Sequence, residues 1–259
     1  MIVQGVLRAR RRGIGWWSVA VAGVAALYAL FFPMMQTMDT DAMLASFPEA
    51  VVNALGWDAL SSGAGYLHMT VFGLVGMAVL VACAVGAGAR LIAGEEEAGL
   101  LELELAAPVS RTRVYLERLV VLLAAVAVPV LATLVVLAVL DAVLAMEIPI
   151  GHLAGACLAL WLFGVTIGAV SYAVGALTGR RGIALATGAG LAVLAYFASW
   201  AGPLADLDWL ASISPYWWYA GHRPVVNGLD VSRMGLLVTL TGVAVATGFW
   251  GFLRRDTAT

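Results

Sequence analysis

Residues 119–140 read LVVLLAAVAVPVLATLVVLAVL, twenty-two residues without a single charge. A helix of that length, at about 1.5 Å per residue, covers the ~30 Å hydrocarbon core of a bilayer. With its lead-in the stretch makes a span at 114–140, and five more runs of the same character lie near 14–32, 67–89, 152–178, 183–201 and 233–253. Across all 259 residues, 63% are hydrophobic and 12% charged, with a mean hydropathy of +0.97. Soluble domains carry about 45–50% apolar and about 25% charged residues, so this chain cannot cover a water-facing surface. The expected fold is an all-α integral membrane protein with six transmembrane helices. Pro129 is predicted to kink the third unless neighbouring groups satisfy the carbonyl it frees.

The arginines orient the spans. Arg8, Arg10, Arg11 and Arg12 precede the first. Arg90, Arg111, Arg113 and Arg118 flank the loop after the second, Arg180 and Arg181 follow the fourth, and Arg254 and Arg255 follow the last. Twelve of fourteen arginines thus fall on one side, leaving Arg223 and Arg233 on the other. The positive-inside rule makes the twelve-arginine side cytoplasmic and places both termini there. The acids agree, with seven inside and nine outside. The domain plan follows: an N-terminal cytoplasmic or interfacial segment 1–13, a six-helix domain 14–253, and a cytoplasmic tail 254–259. Within it, 91–113 faces the cytoplasm, and 33–66 and 202–232 face outward.

All basic residues are arginine; lysine is absent. That excludes a P-loop, whose lysine reaches the phosphates, and Schiff-base chemistry, which needs an amine. The chain is expected to be non-catalytic, and any ATP would be hydrolysed elsewhere. Cys83 and Cys157 lie in apolar runs and read as small hydrophobes rather than a disulfide pair.

The arginine-led first span resembles a signal peptide only superficially. It runs through Phe31-Phe32-Pro33 without a small-residue cleavage site and is read as a retained helix. Residues 2–12 form either a short interfacial helix or a basic tail. In the first outward segment, Ser46 can cap a short helix carrying Val51, Val52, Leu55 and Trp57. In the last, Trp209, Tyr216, Trp217, Trp218 and Tyr219 suit an interfacial belt or a half-inserted re-entrant helix.

The most informative stretch is LIAGEEEAGLLELELAAPVSRTRVYLER, residues 91–118. Gly94 is expected to open a helix whose first turn, Glu95-Glu96-Glu97, meets the positive end of the helix dipole. The helix should stop before Pro108, and Ser110 can cap the next one. Ala98, Leu101 and Leu105 share one side, whereas Leu100 and Leu103 fall elsewhere. Leucines on several faces, with no soluble domain to cover them, favour a docking element over a merely solvated charged loop.

This stretch resembles the cytoplasmic segment of the membrane subunits of ABC-type-2 exporters: an acidic pair, Gly-Thr-Leu-Glu, two or three leucines, then Pro-Val-Ser-Arg and a further basic residue. Here Glu95-Glu96-Glu97-Ala98-Gly99-Leu100-Leu101-Glu102-Leu103-Glu104-Leu105 is followed by Pro108-Val109-Ser110-Arg111 and by Arg118; Leu100 replaces the threonine and Glu104 a leucine. The outward ISPYWWYAGHRPVVNG also looks like that family's Ser-Pro-aromatic segment. The resemblance implies a permease in a prokaryotic plasma membrane, paired with a second, identical or homologous permease and two ATP-binding subunits that bind the ATP and Mg. It carries a coupling role onto Glu95, Glu96, Gly99, Glu102, Pro108, Ser110 and Arg111, with Gly99 allowing close backbone approach and Pro108 the break.

On the fourth span Gly164, Gly168, Ser171 and Gly175 line one face, as in close helix packing within the subunit, or else at a dimer interface. His68, His152 and His222 lie outward without ligand spacing, so no metal is expected, and no histidine sits mid-span to hold a haem. Membrane lipids are expected partners; nucleic acid is not. Ionisable residues are missing from the span centres, which weighs against the rival reading of an ion-coupled secondary transporter or channel. A second rival is a membrane anchoring or assembly subunit that uses the acidic loop only to dock a partner.

Overall fold

The computed structural model describes residues 2–37, 46, 52, 59, 61–101, 109–204 and 207–255, with backbone alone at 2–10 and 204. Every element among them is helical. Among the described residues six helices are long and apolar enough to cross a membrane: Arg11–Gln36, Gly63–Glu97, Arg111–Leu144, Ile150–Thr178, Arg181–Pro203 and Val231–Arg254. They contain all six runs read from the sequence.

The first, α1 (Ile2–Gln36), is continuous: the basic segment 2–12 and the span form one rod. The second span is broken where the sequence suggested continuity. It comprises α2 (Gly63–Leu67), a wide π turn at His68–Phe72, a break at Gly73-Leu74, and α3 (Val75–Ala89). A break inside a membrane is tolerated only when its freed backbone groups find partners. They do: Tyr219 Oη donates to the Phe72 carbonyl at 2.8 Å, and Tyr216 Oη to the Gly73 carbonyl at 2.7 Å. The aromatic run after the fifth span therefore seals the second. The expected Ser46-capped helix lies mostly outside the described residues.

Beyond α3, a second π turn at Arg90–Gly94 leads straight into α4 (Glu95–Glu97). The third span is α5 (Arg111–Leu144), capped by Ser110, whose Oγ accepts from the Arg113 amide. It continues through Pro129 as one helix. Then come α6 (Ile150–Thr178), α7 (Arg181–Leu204), the short α8 (Asp208–Ser212), α9 (Pro215–Ala220) and α10 (Pro224–Asn227), and finally α11 (Val231–Arg254).

The centre of the bundle is α6, which is mostly buried, whereas α11 is mostly exposed. Its small-residue face makes this possible. Gly168 and Gly88 let α6 and α3 touch backbone to backbone, and a Cβ built on Gly88 would lie 2.3 Å from the Gly168 carbonyl oxygen. Gly164 faces Val126 and Leu80, Gly175 faces Ala93 and Ala184, and Ser171 Oγ donates toward the Val85 and Ala184 carbonyls. All four residues thus contact neighbouring helices of the same chain. The outer faces carry exposed apolar rows such as Leu131, Val135 and Val139 on α5 and Val238 and Val243 on α11, a surface suited to hydrocarbon rather than water.

Cys83 and Cys157 are buried free thiols on α3 and α6. Among the described residues no three His, Cys, Asp or Glu side chains gather as a metal would require.

Candidate functional site

Three consecutive glutamates form the last turn of the second membrane rod, and each reaches a different span. Glu95 Oε2 pairs with Arg118 Nη2 of α5 at 2.5 Å. Glu96 Oε2 accepts from Arg255 Nη2, just past α11. Glu97 Oε1 accepts from the Arg181 amide at the start of α7, 2.8 Å away. Consecutive residues on a helix point about 100° apart, so one acidic turn can address three neighbours. Periodicity alone could not have assigned these partners, because they depend on how the spans pack.

The sequence reading placed these acids at the start of a helix, opened by Gly94. The structure corrects this: Gly94 is helical, and the acids close a rod that begins far above them. Carboxylates at a C-terminus oppose the helix dipole, at roughly 0.3–1 kcal/mol each near a surface. The arginine partners offset that cost. Arg118 is the strongest of them: it is 1% exposed, and its Nη1 also donates to the Leu91 carbonyl at 2.6 Å.

Gly99 ends the rod. Its φ of +70° is left-handed, its amide donates to the Glu96 carbonyl at 2.9 Å, and nothing lies within 4 Å of where a Cβ would sit. The left-handed conformation by itself demands glycine here. Just beyond, Leu101 is fully buried, whereas Leu100 is 55% exposed. The expected grouping of Ala98 with Leu101 therefore fails: Glu97, Ala98, Gly99 and Leu100 form the exposed edge, and Leu101 anchors it. Glu102 and Pro108, also expected to carry coupling, lie outside the described residues, as do Leu103 and Leu105.

On the return side Ser110 caps α5, and Arg111 Nη1 donates to the Arg255 carbonyl at 2.6 Å. Arg113 pairs with Glu117 on the surface of α5. Gly179, between α6 and α7, backs the Glu96–Arg255 pair closely: a Cβ there would meet Glu96 Oε1 at 2.8 Å. Of the expected coupling residues, Glu95, Glu96, Ser110 and Arg111 are thus gathered at one end of the bundle, together with Arg118, Arg181 and Arg255. The sequence had used Arg181 and Arg255 only to orient the spans, and Arg118 for that and as the last basic residue of the motif.

At the opposite end, the aromatics after the fifth span pack into the bundle. Tyr219 is buried and stacks on Phe163 of α6 with ring centroids 5.0 Å apart, and Tyr216 meets Tyr196 of α7 edge-on at 5.1 Å. Trp209 remains 61% exposed, as an interfacial residue would.

No curated protein matches the chain. The family model described as the C-terminal domain of the multidrug efflux system permease Rv1217c matches residues 6–253, nearly the whole sequence. The chain therefore belongs to that family and is a multi-pass membrane protein of the permease kind.

Proposed function

We propose that this chain is the transmembrane subunit of an ATP-binding cassette exporter of the type-2 class, with both termini and the 91–113 loop in the cytoplasm of a prokaryotic cell. Two separate ATPase subunits bind ATP and Mg, and a second permease subunit, identical or homologous, completes the pathway. The chain itself performs no catalysis. Its cargo, following the family's multidrug efflux description, is a set of drug-like compounds.

The observation that carries the reading is the three-way wiring of the acidic turn. An ATPase pressing on the exposed edge Glu97–Leu100 moves a turn held to α5 through Glu95–Arg118, to α11 through Glu96–Arg255, and to α7 through Glu97. Force on one small patch thus reaches four spans as a unit, including the second, of which the turn is part. The exposed Leu100 supplies the apolar contact and Glu97 a steering charge.

The test is ATP-dependent accumulation of a lipophilic dye in inside-out vesicles holding this chain and an ATP-binding cassette subunit produced with it. Accumulation that requires both proteins and hydrolysable ATP is expected. Accumulation by the chain alone, driven by an ion gradient, would contradict the reading.

A further inference from the structure

We propose that the cavity beneath Arg90 and Arg181 binds the phosphate headgroup of one anionic phospholipid. The cavity, about 470 Å³, lies between α1, α3, α5 and the start of α7. That volume falls in the ~300–1,000 Å³ range of ligand pockets. Its mouth is cationic. A Cβ built on Gly94 would lie 3.4 Å from Arg181 Cδ and 3.5 Å from Arg90 Cβ, so the two arginine stems converge on one turn. Among the described residues no carboxylate pairs with either guanidinium, and Glu97 accepts from the Arg181 amide rather than its side chain.

Both arginines line the same cavity, and an oxyanion bound there would meet two cationic side chains. The planar donor forks match phosphate geometry bidentately. Below the arginines the walls turn apolar, with Trp17, Cys83, Gly86 and Ala125. Cys83 lies two helical turns from Arg90, about 10 Å deeper. At Gly86 no atom comes within 4 Å of a Cβ position, so the space is open.

Inorganic phosphate would satisfy the arginines but leave these apolar walls to water. A phospholipid satisfies both: its headgroup meets the arginines, and the upper part of its chains fills the cavity beneath. Arg90 closes α3 and Arg181 opens α7, which sets them at headgroup level, where basic pockets between helices hold anionic lipids. The site does not depend on what powers transport.

The test uses delipidated full-length protein in neutral detergent, titrated with phosphatidylglycerol or phosphatidylcholine of identical chains, with retained lipid read by native mass spectrometry. One tightly retained phosphatidylglycerol is expected. The Arg90→Gln/Arg181→Gln variant should weaken its retention by about 30-fold. Gly86→Leu, which fills the space without altering charge, should weaken it as well. Equal retention of phosphatidylcholine, or undiminished phosphatidylglycerol in either variant, would overturn the proposal. So would displacement by millimolar inorganic phosphate with Gly86→Leu having no effect, since the ligand would then be free phosphate.

Discussion

Glu95 and Arg118 form an ion pair 2.5 Å long that joins the end of the second span to the third, with the arginine almost wholly buried. Removing one member of such a pair leaves an uncompensated buried charge, at about 3–5 kcal/mol, whereas replacing both by apolar groups is often neutral. Glu95→Ala is therefore expected to lower thermal stability sharply, and Glu95→Ala/Arg118→Met to recover most of it. A double variant no more stable than the single one would show that the pair is not what holds the turn.

The α3–α6 crossing separates two glycines that the sequence does not distinguish. Gly88→Ala drives a methyl into the Gly168 carbonyl and should cost about 1–3 kcal/mol, as overpacking does. Gly86→Ala meets open space and should leave the melting temperature unchanged or slightly raised. Thermal unfolding of the two variants in the same detergent decides it; equal effects would contradict the backbone contact.

Most of the architecture was legible from composition, because spanning a bilayer demands long apolar runs and little else on this chain can satisfy that demand. The break at Gly73-Leu74 was not legible. Its compensation comes from Tyr216 and Tyr219, more than 140 residues away, and nothing local announces such a pairing. The acidic turn was legible in its run of glutamates and in the resemblance, yet its orientation on the helix was misread. Gly94 looked like a helix opener, whereas a π turn carries the rod through it. Arg118 was read as one of several basic residues flanking a loop, and only packing shows that it lies inside the bundle.

The same remote compensation gives a third expectation. Tyr219→Phe keeps the stacking on Phe163 but leaves the Phe72 carbonyl without its buried donor, a loss of about 1–3 kcal/mol. A lower melting temperature with unaltered helical content is the expected result. Unchanged stability would mean that the break is sealed some other way.

A fourth concerns acid. Asp230 caps α11: its carboxylate accepts from the Ser232 hydroxyl and from the Ser232 and Arg233 amides, which hold its carboxyl below the usual carboxylate range. A depressed folded-state pKa stabilises the fold above the ordinary aspartate value and loses that contribution as pH falls through the folded value. Wild type should therefore exceed Asp230→Ala in stability at neutral pH, with the gap closing only in strong acid. A gap independent of pH would contradict the cap.

The central claim is that the edge Glu97–Leu100 receives an ATPase while Glu95 and Glu96 hold it in place. Charge reversal at Glu95 would disturb the fold, so the informative change is at Leu100, whose apolar side chain is exposed. The measurement is co-purification and substrate-stimulated ATP turnover of Leu100→Glu with an ATP-binding subunit, beside its thermal stability. The account predicts unchanged stability with association or coupling reduced by about tenfold or more, as for an apolar interface anchor. Wild-type association together with wild-type coupling in that variant would contradict it.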